Sequence, residues 1–331
     1  MVARKPVTGL LLTLCLYSIA AMARADAPLR ALLLTSPGIY HDYQFQSRAI
    51  GEGIAARANV TFDISLAEHA RWKTTDYAKG YDVVIYNICM ANNTDRALIA
   101  NMRRQTEELS VPAMVIHCAM HSFRNTNDWW PLHGLQSKSH EPLGRMKLTA
   151  AEEHPVLSGI PADWTVSEDE LYINLQFRAQ PLLTSVGEDD GIHVTAWIKQ
   201  QGDTPVFGTT LGHSDATMED PVFQQLLTNA LLYITGNLTD DGTPNPALAP
   251  NPSRGEAIAS FSAPPGVAYL DPEQVDCVMS EIRNTIGFCY VGCIVNPLLW
   301  GEEADACKGD CEARIPPTAE LAAACRNDQG G

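Results

Sequence analysis

Short apolar runs alternate with stretches of helical apolar spacing through the first two thirds of the chain. Leu29–Thr35 is a largely apolar run, which is typical of a strand buried on both faces of a sheet. It is followed by a helix marked by Phe45, Ile50, Ile54 and Ala55, strands at Val60–Ile64 and Tyr81–Tyr86, a helix at Asp95–Leu109 and a strand at Val111–His117. These strand–helix–strand steps predict a doubly wound, mostly parallel α/β sheet.

The part that follows is richer in strands than in helices. We predict strands at Arg145–Thr149, Leu182–Val186, Ile192–Ile198 and Pro205–Leu211. A helix at Asp220–Thr235 closes the region, with Glu219 or Asp220 as its N-cap and Gly236 as its stop. We therefore place one α/β domain at residues 26–237.

Both ends of the chain differ from this domain in composition. Residues 1–25 resemble a secretory signal peptide, because Arg4 and Lys5 precede an apolar run and Ala21-Met-Ala23 offers a cleavage site. The run has about 15 residues, fewer than the roughly 20 that cross a bilayer, so we expect no membrane span after its removal. Residues 238–268 contain six prolines and predict an extended, poorly packed linker.

The segment 269–331 is set apart by six of the nine cysteines: Cys277, Cys289, Cys293, Cys307, Cys311 and Cys325. An even set in an exported segment predicts disulfides. Two antiparallel helices, each carrying cysteines at i and i+4, would pair Cys293 with Cys307 and Cys289 with Cys311, which leaves Cys277 and Cys325 to pair. The alternative is a four-thiolate zinc site. We expect a disulfide-rich helical hairpin and a protein partner for it.

The charge of the chain limits its partners. The formal net charge is −16, and without residues 1–25, which hold three basic residues and no acidic one, 20 basic residues face 39 acidic ones, for −19. A protein this acidic does not bind phosphate backbones nonspecifically, so we expect no nucleic-acid partner.

Polar side chains follow several predicted strands, and the ends of parallel strands form the ligand crevice of such sheets. His41, His117 and His213 each follow a strand, and Asp169, Glu170 and Tyr172 precede another apolar stretch. In one interpretation the three histidines bind a divalent metal such as zinc, with Glu170 as ligand or base. In the other there is no metal, and His117, Glu170 and His213 act as acid and base. His41, Asp169 and Tyr172 would then bind substrate.

Cys118 also follows a buried strand. Its position resembles the nucleophile elbow of class I glutamine amidotransferases, but Ile116–His121 lacks the flanking glycine that such a turn favours. A buried, unreactive thiol is the favoured interpretation, and a disulfide with Cys89, which also follows a strand, is a further alternative.

Several motifs together carry a family resemblance. In chain order they are Ala31–His41, Tyr81–Tyr86, Val115–His117, His140, His154–Pro161, Asp169–Tyr172 and Leu211–His213. Together and in this order they resemble the ThuA-like family of trehalose utilisation over Leu29–Asn237. The resemblance implies a flavodoxin-like, class I glutamine amidotransferase-like fold without the amidotransferase triad. It also implies carbohydrate metabolism through keto-sugar intermediates. Leu109–Ala113 and Cys118 depart from the family pattern.

Two functional hypotheses follow from these observations. The first is a periplasmic or secreted enzyme that isomerises or hydrolyses keto-sugars or glycosides at the His and Glu residues. The second is a non-catalytic carbohydrate-binding or scaffolding protein whose cysteine-rich segment binds a partner. A hydrolase that uses Cys118 as nucleophile is a third, weaker interpretation.

Overall fold

The computed structural model describes residues 27–36, 41–66, 69–251 and 257–262. The expected signal peptide and the six-cysteine hairpin lie outside these residues. The described strands are β1 (Leu29–Thr35), β2 (Val60–Leu66), β3 (Val83–Asn87), β4 (Ala113–Ile116), β5 (Leu135–His140), β6 (Gly144–Lys147), β7 (Thr149–Ala150), β8 (Thr165–Asp169), β9 (Tyr172–Phe177), β10 (Gln180–Val186), β11 (Ile192–Gln201), β12 (Thr204–Thr209) and β13 (Ile258–Ser262). The helices are α1 (Tyr43–Ala55), α2 (His69–Trp72), α3 (Arg96–Glu107), α4 (Cys118–His121), α5 (Trp130–His133), α6 (Asp215–Glu219) and α7 (Pro221–Ile234).

Nine strands form the main sheet in the order β13-β2-β1-β3-β4-β12-β11-β10-β7. The strands from β13 to β12 are parallel, whereas β11, β10 and β7 continue the sheet with antiparallel pairs. In the parallel part, the order β2-β1-β3-β4-β12 is that of a flavodoxin-like sheet, with a topological switch point between β1 and β3. The predicted doubly wound α/β fold is therefore confirmed for this domain.

Alternation along β1 shows how one strand serves two cores. Ala31 and Leu33 join the core beneath α1 and α7, whereas Leu32 and Leu34 join the core beneath α2 and α3. All four side chains are fully buried, because successive residues of a strand point to opposite faces and helices cover both. The sequence pattern of β1 is thus explained by burial on both sides.

The helix caps lie where the sequence places polar residues. The Asp95 side chain accepts hydrogen bonds from the first turn of α3, and the Asp220 side chain accepts one from Val222 at the start of α7. Such side chains pair with backbone N–H groups that a helix leaves unsatisfied at its N-terminus. The predicted starts of both helices agree with the structure.

The linker prediction was wrong for the described residues of 238–268. Leu238 and Leu248 are buried, and Ile258–Ser262 adds β13 to the sheet in parallel with β2. Apolar residues between the prolines account for the difference, because Leu238 and Leu248 extend the core beneath α7. Proline content indicated an extended chain, but it did not show that the chain would pack back onto the domain.

Two small sheets complete the fold beside the main one. They pair β5 with β9 and β6 with β8. The sequence analysis predicted none of the strands β5, β8 and β9. β5 and β8 contain few apolar residues, whereas β9 does alternate between apolar and polar residues and was overlooked. Their role is positional, since the β8–β9 connection carries Asp169 and Glu170 toward the carboxyl ends of β4 and β12.

Candidate functional site

Three histidines meet at the carboxyl edge of the parallel strands. His41 follows β1, His117 follows β4 and His213 follows β12. Their ring centroids lie 4.7 Å apart for His41 and His213, 4.9 Å for His41 and His117, and 5.4 Å for His117 and His213. One ring nitrogen of each lies within 4.8 Å of the others. The structure thus brings together the three histidines that the sequence selected.

His117 lies on a sharp turn between β4 and α4. Its backbone has φ 48° and ψ −114°, a region that side-chain-bearing residues rarely adopt. Nδ1 lies 2.6 Å from the carbonyl oxygen of Thr210, and since a carbonyl can only accept, Nδ1 carries the proton. Nε2 faces the cluster. His117, not Cys118, occupies the elbow.

Glu170 links the histidines. Its Oε2 lies 3.2 Å from Nδ1 of His213 and 3.5 Å from Nε2 of His117, and its Oε1 lies 3.4 Å from Nδ1 of His140. Burial alone would raise the pKa of Glu170, but hydrogen bonds and charge from His117 and His213 outweigh burial and hold it well below its ordinary value. Glu170 is therefore a carboxylate at neutral pH.

Asp169 has a different environment from its neighbour Glu170. Its side chain is fully buried and accepts hydrogen bonds from the backbone N–H groups of Gly212 at 2.8 Å, His213 at 3.1 Å and Glu170 at 2.8 Å. These bonds fix the turn that carries His213. We expected Asp169 to bind substrate, but the structure gives it a positioning role.

Tyr172 is also enclosed. Its side chain is 1% exposed, and its ring stacks on His121 at a centroid distance of 3.8 Å. Its hydroxyl lies 3.2 Å from Nε2 of His117. Burial raises the pKa of Tyr172 well above its ordinary value, so the hydroxyl remains a donor. The ring offers no open face for stacking on a sugar, and Tyr172 reaches the site through its hydroxyl.

His41 and His213 differ in their tendency to ionise. Burial and the proximity of His117 and His213 lower the pKa of His41 to about 2, so His41 is neutral. The hydrogen bond and charge of Glu170 raise the pKa of His213 above its ordinary value despite partial burial. The cluster therefore holds a neutral imidazole, His41, beside His213 and Glu170, whose pKa shifts favour an imidazolium–carboxylate pair.

Cys118 is bonded to Cys89 in a disulfide, with a Cα–Cα distance of 5.0 Å. This is the further alternative that the sequence analysis left open beside an unreactive thiol. A disulfide-bonded sulfur has no thiolate, so this form supplies no cysteine nucleophile. The adjoining β3 and β4 bring the two cysteines together at the carboxyl edge.

The donors of the cluster suit a divalent metal. Neutral imidazole nitrogens and a carboxylate are ordinary zinc ligands. Nitrogens bound to one ion at about 2.1 Å lie about 3.4 Å apart in a tetrahedron, so separations of up to 4.8 Å require a contraction of up to about 1.4 Å. The Thr210 carbonyl orients His117, as expected around metal-binding histidines.

Two further histidines, His121 and His140, lie beside the cluster. The structure shows that His140 contacts Glu170 and that His121 covers Tyr172. The Thr210 carbonyl and the positive φ of His117 were missed, since neither leaves a signal in side-chain type.

Comparisons with known proteins agree with this architecture. A putative ThuA-like protein from Parabacteroides merdae ATCC 43184 has 18% identity and a TM-score of 0.51, with 67% of this chain and 97% of that chain covered. A putative ThuA-like protein from Bacteroides uniformis ATCC 8492 has 17% identity and a TM-score of 0.49, with 66% and 96% covered. At 18% identity, the likeness to the Parabacteroides merdae protein shows the fold alone.

Comparison with the curated proteins found no match. The sequence was also matched to family models, and the one for ThuA, described as trehalose utilisation, matches residues 30–234. This match spans more than half of the 331 residues and contains His41, His117, Glu170 and His213. The protein therefore belongs to the ThuA family of trehalose utilisation.

Proposed function

We propose that this protein is an exported, metal-assisted enzyme that isomerises or hydrolyses keto-sugars or glycosides. Membership in a family described as trehalose utilisation supports a role in carbohydrate metabolism. The observation that carries the enzymatic proposal is the convergence of three histidine nitrogens and the Glu170 carboxylate at one strand-end crevice.

His41, His117 and His213 would hold a divalent ion, with zinc as the best match to their donors. A bound ion polarises a substrate carbonyl or lowers the pKa of bound water. Two features of the chain prepare the histidines for this role. The Thr210 carbonyl fixes the tautomer of His117, and Asp169 fixes the backbone of His213.

Glu170 is the candidate base. Its carboxylate is anionic at neutral pH, and a carboxylate within hydrogen-bond reach of a substrate can remove a proton. On a keto-sugar, Glu170 would take the proton from the carbon beside the carbonyl, and the bond's electron pair would shift toward the carbonyl oxygen. In an isomerisation, the hydroxyl proton on the deprotonated carbon would pass to the former carbonyl oxygen, and Glu170 would return its proton to the former carbonyl carbon. In hydrolysis the same carboxylate would take the proton from the attacking water.

Export is part of the proposal. Its support is the signal-like composition of residues 1–25 and the disulfide between Cys89 and Cys118, since disulfides persist in oxidising compartments. No helix among the described residues is long and apolar enough to cross a membrane. The protein would therefore act in the periplasm or outside the cell.

The first test is elemental analysis of the mature protein, purified from an oxidising compartment without chelator. We expect about one divalent ion per chain, and its loss in His117→Ala but not in His154→Ala, a matched change at a histidine outside the cluster. Keto-glycosides are then assayed with the metal-loaded protein. Metal retained by His117→Ala would contradict the site, and saturable glycan binding without turnover would contradict the enzyme.

A further inference from the structure

His41 belongs to two sets of metal-ligating atoms. In one it lies with His117 and His213, and in the other with Cys89 and Cys118, each set having its ligand atoms within 4.8 Å of one another. The second set arises because Cys89 follows β3 and Cys118 begins α4, and both lie close to His41. The two sets share one imidazole, so a single His41 cannot serve both at once.

We propose that reduction of the Cys89–Cys118 disulfide creates a second metal site, made of Cys89, Cys118 and His41, for a thiophilic divalent ion such as zinc. Occupation of this site removes His41 from the three-histidine cluster. The existence of the second metal site is argued from geometry alone. The effect of its occupation on the three-histidine cluster rests on the proposed function of that cluster.

The donor chemistry fits such an ion. Two thiolates and an imidazole are common zinc ligands, with Zn–S distances of about 2.3 Å. Two sulfurs on one tetrahedral ion lie about 3.8 Å apart, a span that cysteines with Cα atoms 5.0 Å apart reach by rotating their side chains. Opening the disulfide thus needs rotation of the two side chains and no displacement of β3 or β4.

The reductant is a dithiol. Its first thiolate attacks Sγ of Cys89, which is the more accessible of the two sulfurs because Cys118 is buried. The S–S bond breaks, Cys118 leaves as a thiolate, and the second thiol of the reductant closes its own disulfide and releases Cys89. Two electrons pass to the protein and the reductant is oxidised to a cyclic disulfide. Binding of the divalent ion then keeps both sulfurs as thiolates.

The test uses the full mature chain, the C89S/C118S double variant and cobalt(II) as a spectroscopic probe. Cobalt–thiolate coordination gives a strong charge-transfer band in the near ultraviolet, which histidine and carboxylate ligands do not give. After treatment with a dithiol and its removal, we expect the wild-type chain to show a band exceeding that of the double variant by one equivalent of cobalt. Subtraction of the double variant corrects for the six cysteines at 277–325.

His41 is tested with His41→Ala and the matched control His154→Ala. The additional band should shift or disappear in His41→Ala and persist in His154→Ala. Equal spectra for reduced wild-type and double variant, or an unchanged band in His41→Ala, would overturn the proposal.

A measurement on the wild-type chain covers the case in which a variant does not fold. The reduced protein is alkylated with and without one equivalent of zinc, and the peptides that contain Cys89 and Cys118 are quantified by mass spectrometry. We expect zinc to slow the alkylation of both cysteines at least tenfold, and equal rates would overturn the proposal. Because the three-histidine cluster is assayed in the disulfide form, its failure and the failure of this site are distinguishable.

Discussion

Oε2 of Glu170 lies 3.2 Å from Nδ1 of His213, and each group shifts the pKa of the other in the direction of an ion pair. Because the pKa of Glu170 is lowered on folding, its ionised form stabilises the fold at pH values above 4.5, the ordinary pKa of a glutamate. This stability is lost as the pH falls toward the lowered pKa. Because the pKa of His213 is raised on folding, its protonated form stabilises the fold at pH values below 6.5, the ordinary pKa of a histidine. This stability is lost as the pH rises through the raised pKa.

The first prediction concerns Glu170→Gln. In the metal-free protein, the difference in unfolding free energy between wild type and variant should be largest between pH 4.5 and 6.5, where both members of the pair contribute. Urea unfolding across pH measures it. Turnover of a keto-sugar by the metal-loaded variant should fall by about 100-fold or more, as expected for the loss of a general base. A pH-independent difference would contradict the ion pair.

The second prediction concerns Asp169→Ala. The change leaves the backbone N–H groups of Gly212 and His213 without their acceptor, which should lower the free energy of unfolding by about 3 kcal/mol. The neighbouring exposed Glu168→Ala is the control and should change it by less than about 0.5 kcal/mol. Urea unfolding of the two variants provides the comparison, and equal effects would show that Asp169 does not hold the turn.

The third prediction compares His117→Gly with His117→Ala. At φ 48° and ψ −114° a Cβ atom is strained, whereas glycine is not, so His117→Gly should be more stable by about 1 kcal/mol or more. Ala100 lies on an exposed helical position of α3, where Ala100→Gly should instead destabilise by about 1 kcal/mol. Thermal or urea unfolding measures whether glycine is more stabilising than alanine at His117 and less stabilising than alanine at Ala100. A less stable His117→Gly would mean that the elbow carries no strain.

The fourth prediction concerns two glycines. A Cβ at Gly208 in β12 would overlap the buried ring of Trp197 on the adjacent β11, so Gly208→Ala should destabilise by about 3 kcal/mol. A Cβ at Gly51 in α1 would meet Phe62 and Ile258 at ordinary contact distances of 3.5 and 3.6 Å. Gly51→Ala should therefore be neutral or stabilise by up to about 1 kcal/mol. Denaturation midpoints test both, and similar losses would refute the packing argument.

The sequence predicted the parts of the fold whose burial is reflected in residue type. β1 was predicted with its observed limits, because a strand covered on both faces must be apolar throughout. The sequence analysis also selected His41, His117, Glu170 and His213 as candidate site residues, because strand ends form the crevice of a parallel sheet, and the structure brings these four residues together. β13 and the small sheets were missed, since their pairing depends on distant segments that local patterns do not encode.

The role of Asp169 and the disulfide of Cys118 were harder to predict for a different reason. A carboxylate that binds substrate and one that binds backbone N–H groups have the same side chain, and the distinction depends on where Gly212 turns. Likewise, a buried thiol and half of a disulfide differ only in the proximity of Cys89. These assignments need the spatial neighbours that only the folded chain supplies.

The elbow at His117 is a property of the main chain, because β4, α4 and the bond from its N–H to the Thr209 carbonyl define it. The position can therefore accept a different reactive group without rebuilding the scaffold. The unusual backbone geometry at this sheet edge thus belongs to the scaffold, and it would persist when the imidazole is replaced.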